Sequence, residues 1–355
     1  MSLWRCIIFQ LISWPLLSQS LLIGTHYKQV DQQGLYSYNI NQEVSSVSRL
    51  VDLPGTSIVI SRKWSSLVYT CGIQEKGKAG LIHCYDLKSG KVLKSIASGD
   101  SRPCYLSLSK DQNYLFVANI RDGSVCSFKL DSEGVPLGLI SKVQVEPVGK
   151  RFAPHACEIS PDGDYLFVPD IAGNRLCRMK INNKTGELKY IDSLTANEFT
   201  GPRHLTFDKE GERAYMVNQM GEAISILYYK SGELSFVENV QSLPNDKLDI
   251  NNHIAEIKIH PSGKFVYASN RGHDSIALFK RDLNSGMLEF VKCFSSGGEA
   301  PWSFAISANG EHLFCTNNKS NNLVFFTIDQ SNGHIKALDR KISVPNPACV
   351  IYTAQ

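Results

Sequence analysis

The sequence contains no CxxC pair, no long run of like charge, and no stretch reaching the roughly 18 consecutive apolar residues that read as a membrane span. The first absence removes the usual spacing of a structural zinc site. The second, with 37 basic against 34 acidic residues, gives no reason to expect a nucleic-acid partner or an acidic membrane surface. The third leaves no membrane span to place. No linker, low-complexity tract or compositional break marks a second domain. The ten cysteines do not form a disulfide pattern. Cys84, Cys126 and Cys177 recur at similar positions in successive repeats, on units too far apart to bridge, and read as small buried hydrophobes.

The N-terminus admits two readings. Residues 1–20 carry an early Arg5, an apolar run from Cys6 to Leu17 and the small residues Ser18 and Ser20, which suits a secretory signal. Gln10 interrupts that run and the first residues carry little charge, which suits a plain N-terminal extension. Cleavage after Ser20 would leave Leu21 to Thr25 as a first strand. Residues 21–355 are then expected to form one domain.

What the sequence does contain is an internal repeat. Five units share an opening strand, a turn, a second strand and a third. One runs from Pro202-Arg203 through Ala214-Tyr215-Met216-Val217-Asn218 to Ala223-Ile224-Ser225-Ile226-Leu227. Asn119, Asp170, Asn218, Asn270 and Asn317 mark one point in each unit, at separations of 51, 48, 52 and 47 residues. A weaker sixth unit runs from Pro54 to His83. A seventh is split between Pro347–Tyr352 and the N-terminal segments Leu21–Thr25 and Gly34–Tyr38. Joining the two ends closes a ring and leaves no long exposed sheet edge. Units of about 50 residues with short strands and Gly-marked turns specify an all-β, seven-bladed β-propeller, closed by N- and C-terminal strands.

A ligand site is expected where the opening strands meet at one mouth of the central channel. The residues just before each first strand and just after each second include His155, Arg203, His204, Asn218, Gln219, His253, Asn270, Arg271, His273, Asn317 and Asn318. Two arginines among histidines and amides suit an anionic small molecule. Plainer roles compete. Asn119 and Asn317 are expected to hold turns, Arg203 and Arg271 would serve as inter-blade salt bridges, and His155 and His253 as hydrogen-bonded structural residues.

Pro154-His155, Gly201-Pro202-Arg203-His204, Val217-Asn218-Gln219-Met220 and Ser269-Asn270-Arg271-Gly272-His273-Asp274-Ser275-Ile276 resemble the signature segments of the seven-bladed propeller lactonases, the 6-phosphogluconolactonase and 3-carboxymuconate cyclase family. The resemblance spans roughly Leu22 to Tyr352. It implies a catalytic cluster of His155, Arg203, position 219 and Arg271, with no metal and no cofactor. The chain departs from the family at Gln219, where the family has Glu, at Cys157, where a second His is frequent, and at Trp302, where Arg is usual. Glu256, Glu75 and Glu299 are the candidates to replace the missing carboxylate. His204, Asn218, His253, Asn270 and His273 are expected to bind substrate.

Three functions follow from the resemblance. The first is hydrolysis of a sugar-acid lactone, 6-phosphogluconolactone above all, as in the pentose phosphate pathway. His155 would be the base, and the two arginines would hold the anion and polarise the carbonyl. The second is a carboxymuconate-type cycloisomerase using the same residues. The third is a non-catalytic propeller that binds a ligand or a protein, which Gln219 and Trp302 favour. A small anionic substrate and a monomer are expected. The location is cytoplasmic if residues 1–20 are retained, and periplasmic or secreted if they are removed.

Overall fold

The computed structural model describes residues 19–26, 32–41, 46–53, 55–73, 78–149, 151–195, 199–247 and 251–353. The second and third strands of each repeat read as near-continuous apolar runs, such as Tyr114-Leu115-Phe116-Val117-Ala118. A strand reads that way when both of its faces are covered. The structure shows what covers them: each sheet is sandwiched between two others. Tyr215, Val217, Ile224 and Ile226 of one sheet pack with Ile254, Ile257, Val266 and Phe279 of the next.

In chain order the strands are β1 (Ser20–Thr25), β2 (Leu35–Asn39), β3 (Ser48–Val51), β4 (Ile58–Ser61), β5 (Leu67–Gly72), β6 (Leu81–Asp86), β7 (Lys91–Ala97), β8 (Pro103–Leu108), β9 (Tyr114–Asn119), β10 (Ser124–Leu130), β11 (Pro136–Val143), β12 (Glu158–Ile159), β13 (Tyr165–Asp170), β14 (Arg175–Ile181), β15 (Leu188–Thr195), β16 (Pro202–Phe207), β17 (Arg213–Asn218), β18 (Ala223–Lys230), β19 (Glu233–Gln241), β20 (His253–Ile259), β21 (Phe265–Arg271), β22 (Ser275–Arg281), β23 (Leu288–Ser295), β24 (Pro301–Ile306), β25 (His312–Asn317), β26 (Asn322–Ile328), β27 (Ile335–Ser343) and β28 (Pro347–Thr353). They form seven four-stranded sheets, six of consecutive strands and one in the order β28-β1-β2-β3. The C-terminal strand is thus the innermost strand of the blade that the N-terminus completes, as the split repeat specifies. β28 lies beside the first strands of both adjacent blades, β4 and β24, and the ring is closed.

Ser20 is the first residue of β1. Its carbonyl accepts a hydrogen bond from Thr353 Oγ1 at 3.0 Å, and the Gln19 carbonyl accepts from Ile40 N. A cut after Ser20 would fall inside this strand. The rest of the candidate signal segment, residues 1–18, lies outside the described residues, as do Pro54 and Glu75. No helix among the described residues is long and apolar enough to cross a membrane. Every described cysteine is unpaired, and Cys84, Cys126 and Cys177 are fully buried on three different blades.

Two repeated devices fix neighbouring parts to each other. Tyr69, Tyr215 and Tyr267, the third residues of β5, β17 and β21, reach to the next blade. There they donate to the carbonyls of Gly134, Gly286 and Gly333 in its outer hairpin, at 2.6–2.7 Å. The marker amides act nearer the axis. Asn119, Asn270 and Asn317 each donate to the carbonyl of a buried serine that follows the outer strand of the preceding blade (Ser98, Ser242, Ser296) at 2.9–3.1 Å. The turn between the first two strands of a blade needs a left-handed residue. Gly163 (φ +83°) and Gly310 (φ +75°) supply it while Ser160 and Ser307 close the turn on Tyr165 and His312.

Candidate active site

The first strand of nearly every blade is irregular at one level. In β16 the register shifts between Pro202 and Leu205, so Arg203 and His204 together face Val217. β20 shifts between Ile254 and Ile257, β8 between Pro103 and Tyr105, and β24 between Pro301 and Ser303. A bulge of this kind re-aims side chains that strict alternation would send to opposite faces. The residues at the bulges, Cys104, Arg203, His204, Glu256 and Trp302, meet around one cavity of about 170 Å³ on the axis. Arg102, Arg151, His155 and His26 also line it.

Arg203 is 2% exposed. One Nη donates to the Ala255 carbonyl, while its Nε is buried and has no partner. Burial lowers its pKa to about 10, against an opposing effect of Glu256. His155 is fixed through its backbone, which donates to Pro169 O at 3.0 Å; its Nδ1 is buried and unpartnered. Burial first, then the charge of Arg203 and the nearby His204, holds the His155 pKa well below the usual imidazole range. Its ring centroid lies 5.4 Å from that of His204.

His204 Nδ1 is 3.2 Å from Glu256 Oε1, and both residues are buried. Burial disfavours the Glu256 anion, but Lys258, His204 and Arg203 outweigh it and keep the carboxyl well below the carboxylate range. Lys258 Nζ is 3.5 Å from the same oxygen, and Ser303 donates to the other at 3.4 Å. Burial and Arg203 lower His204 to about 4. Next to this group, Tyr105 donates to Glu158 Oε2 at 3.2 Å, and burial raises Glu158 to about 7.

Arg271 sits behind the cavity wall. Its guanidinium lies 4.9 Å from the ring centroid of Trp302, donates to Gln219 Oε1 at 2.9 Å and to the His253 carbonyl at 3.2 Å. Among the described residues neither Arg203 nor Arg271 forms a salt bridge; inter-blade ion pairs are made elsewhere, by Arg281 with Asp208 at 2.5 Å and by Arg178 with Glu233 at 3.5 Å.

The structure therefore gathers His155, Arg203 and His204 in the cavity, with Arg271 and Gln219 just behind it. Two of the expected substrate ligands are fully buried. Asn218 and Asn270 have no exposed surface, and their amides are spent on Ser225 and on Ser242, Asn252 and Ser275. His273 Nδ1 is 2.7 Å from Ser275 Oγ, which holds its own turn. His253 contributes its carbonyl to Arg271, and its ring Nδ1 is buried without a partner. Of the candidate replacements for the missing carboxylate, Glu256 lines the cavity and Glu299 is exposed on a turn. Arg102, Arg151, Tyr105, Glu158 and Lys258 escaped sequence reading. The signal for three of them was present: Tyr105, Glu158 and Lys258 are polar residues on the innermost strand of a blade, where only the channel can accept them. Among the described residues no group of three or more His, Cys, Asp or Glu is placed to hold a metal.

The model of the family described as lactonase, 7-bladed beta-propeller, matches residues 20–352. The chain belongs to this family. Among its relatives, a 6-phosphogluconolactonase of Bacillus subtilis is 28% identical over 348 residues, covering 94% of this chain and 98% of that protein. An uncharacterised Staphylococcus aureus protein is 28% identical over 345 residues, covering 93% and 98%. A Bacteroides fragilis structure provisionally named 6-phosphogluconolactonase superposes with a TM-score of 0.84 at 25% identity, covering 94% of this chain and 98% of that one. The periplasmic gluconolactonase of Pseudomonas aeruginosa shares the fold, with a TM-score of 0.84 at 24% identity over 95% and 99% of the two chains.

Proposed function

We propose that this lactonase-family chain hydrolyses an anionic sugar-acid lactone, most concretely 6-phosphogluconolactone to 6-phosphogluconate. The observation that carries the reading is the pair of buried, unpartnered donors or acceptors, Arg203 Nε and His155 Nδ1, in a cavity also lined by Arg102 and Arg151. A buried polar atom left without a partner is costly, and folded proteins keep such atoms where a functional site needs the group. Arg203 fits the carbonyl oxygen that becomes an oxyanion as the lactone opens. The remaining guanidiniums fit the carboxylate or phosphate. The name of the Bacillus subtilis relative supports the phosphorylated substrate. A substrate of that kind calls for a cytoplasmic protein that retains residues 1–20, which N-terminal sequencing of the expressed protein would establish.

The test is lactone hydrolysis above the spontaneous background. Wild-type protein is expected to exceed it, and Arg203→Ala, Arg271→Ala double-mutant protein is expected not to. Equal rates would end this reading. One observation favours a second: Gln219 is engaged with Arg271 and cannot take a proton. A binding propeller of that kind would saturate with a sugar acid or a phosphate ester without turning over. A carboxymuconate-type cycloisomerase would use the same residues, and a panel of lactones and muconates separates the two reactions.

A further inference from the structure

We infer that His204 is the general base of this lactonase and that Glu256, on the neighbouring blade, is the carboxylate that positions it. The inference rests on the lactonase reading and answers the question that Gln219 opens.

The argument begins with hydrogen-bond chemistry. Glu256 is surrounded by donors: Lys258 Nζ at 3.5 Å, Ser303 Oγ at 3.4 Å and the Ile257 amide at 3.1 Å. It is therefore ionised and can only accept. His204 Nδ1, 3.2 Å away, must then carry the hydrogen. That choice leaves the lone pair on Nε2. Among the described residues this atom has no hydrogen-bond partner, and the ring lines the cavity beside Arg203. The T-shaped contact with Tyr105, centroids 5.2 Å apart, fixes the ring from the other side.

His155 shares the cavity but, among the described residues, has no carboxylate partner. Its Nδ1 is buried and has no acceptor, so nothing selects its tautomer. It lies beside the Arg203 charge with no carboxylate to offset it, so it is suited to contact the substrate rather than to collect a proton.

The chemistry balances without another reactant. A water between His204 and the lactone gives a proton to Nε2, and its oxygen attacks the carbonyl carbon. Arg203 holds the resulting oxyanion. The ring C–O bond then breaks, the ring oxygen takes the proton back from His204, and the product is the hydroxy acid. The titratable and charged groups around this step are Arg203 on its own strand, Glu256 and Lys258 on β20, Tyr105 on β8, Glu158 on β12, His155 just before it, and His26, Arg102 and Arg151 along the cavity wall. Burial and Arg203 keep His204 neutral at pH 7, which is the form a base requires.

The experiment is steady-state hydrolysis of 6-phosphogluconolactone by His204→Gln, Glu256→Gln, Glu256→Asp and the double variant, with 6-phosphogluconate binding measured alongside. His204→Gln is expected to lower kcat by about 100- to 10,000-fold while product affinity stays within about threefold. Glu256→Gln frees the tautomer and is expected to lower kcat by about 10- to 100-fold, with partial recovery in Glu256→Asp. The double variant is expected to match His204→Gln alone, because residues acting as a unit are not additive. The acid limb of the wild-type kcat profile is expected to disappear in His204→Gln and to persist in His155→Gln. Imidazole added to His204→Gly is expected to restore turnover. A His204→Gln enzyme with unchanged kcat, or additive losses, overturns the dyad and leaves the lactonase reading intact. Loss of product binding in His204→Gln would make His204 a binding residue and also overturn the dyad. Wild-type protein without hydrolysis above background overturns the lactonase reading itself.

Discussion

Arg271 donates from Nη2 to the side-chain oxygen of Gln219 at 2.9 Å, across the boundary between two adjacent blades. The bond places the guanidinium without neutralising it. Burial lowers the Arg271 pKa to about 9, and the charge of Arg203 acts in the same direction. Two cations therefore face the same region with one carboxylate, Glu256, beside only the first of them. A glutamate at 219 would turn the amide contact into an ion pair and compete with an anionic ligand for Arg271.

Gln219→Glu is accordingly expected to raise KM by about three- to tenfold, the cost of competing with a partly buried ion pair. It is expected to leave kcat within about threefold, because the new carboxylate would be held by Arg271. A large gain in kcat would show instead that position 219 is where the base belongs.

Arg203 offers a test that separates a functional role from a structural one. It is almost fully buried, bonds one carbonyl and leaves Nε without a partner. Replacing such a charge by an apolar side chain of similar length removes a desolvation cost. Arg203→Met is expected to hold or raise the melting temperature while kcat/KM falls by about 100-fold or more. Were its hydrogen bond to the Ala255 carbonyl of the next blade the main role of Arg203, its removal would instead lower the melting temperature by several degrees.

The tyrosine ties make the opposite prediction. Tyr267 is fully buried and its hydroxyl donates to Gly333 O at 2.7 Å. Tyr267→Phe leaves that carbonyl unsatisfied between two blades, at a cost of about 1–3 kcal/mol. Thermal or urea unfolding is expected to show that loss, and lactone hydrolysis at 25 °C is expected to be unchanged, since the tie lies at the outer hairpin.

The ring and its closure were legible in the sequence because a blade has a period, and the markers Asn119 to Asn317 beat at nearly constant spacing. Three of the markers, Asn119, Asn270 and Asn317, hold their blade to the one before it through Ser98, Ser242 and Ser296, while Asp170 and Asn218 bond Arg175 and Ser225 within their own blades. Motifs singled out His155, Arg203, His204 and Arg271 in the sequence, and Glu256 only as one of three candidate carboxylates. The His204–Glu256 contact joins residues 52 apart, and strict alternation cannot foresee it. It depends on bulges in β16 and β20 that re-aim both side chains. Trp302, read as a departure, proves to be the surface on which Arg271 lies.

Glu158 supplies a pH test of the channel that does not depend on the substrate. Tyr105 donates to it, and burial raises its pKa from 4.5 to about 7 against the opposing charge of Lys258. Between those values the folded protein keeps a proton that the unfolded chain releases. Stability from this group is therefore complete below pH 4.5 and is lost as pH rises through 7. His204, lowered from 6.5 to about 4, works the other way: the unfolded chain binds the proton first, so its contribution grows as pH rises from 4 to 6.5. A comparison with Glu158→Gln cancels the His204 term, which both proteins share. The variant keeps an acceptor for Tyr105 and cannot ionise. Its melting temperature is expected to match that of wild type near pH 4.5 and to exceed it by about 2 °C or more at pH 8, an effect on the order of 1 kcal/mol. Equal melting temperatures at pH 8 would mean that Glu158 ionises freely, and that the channel beside Tyr105 is open to water.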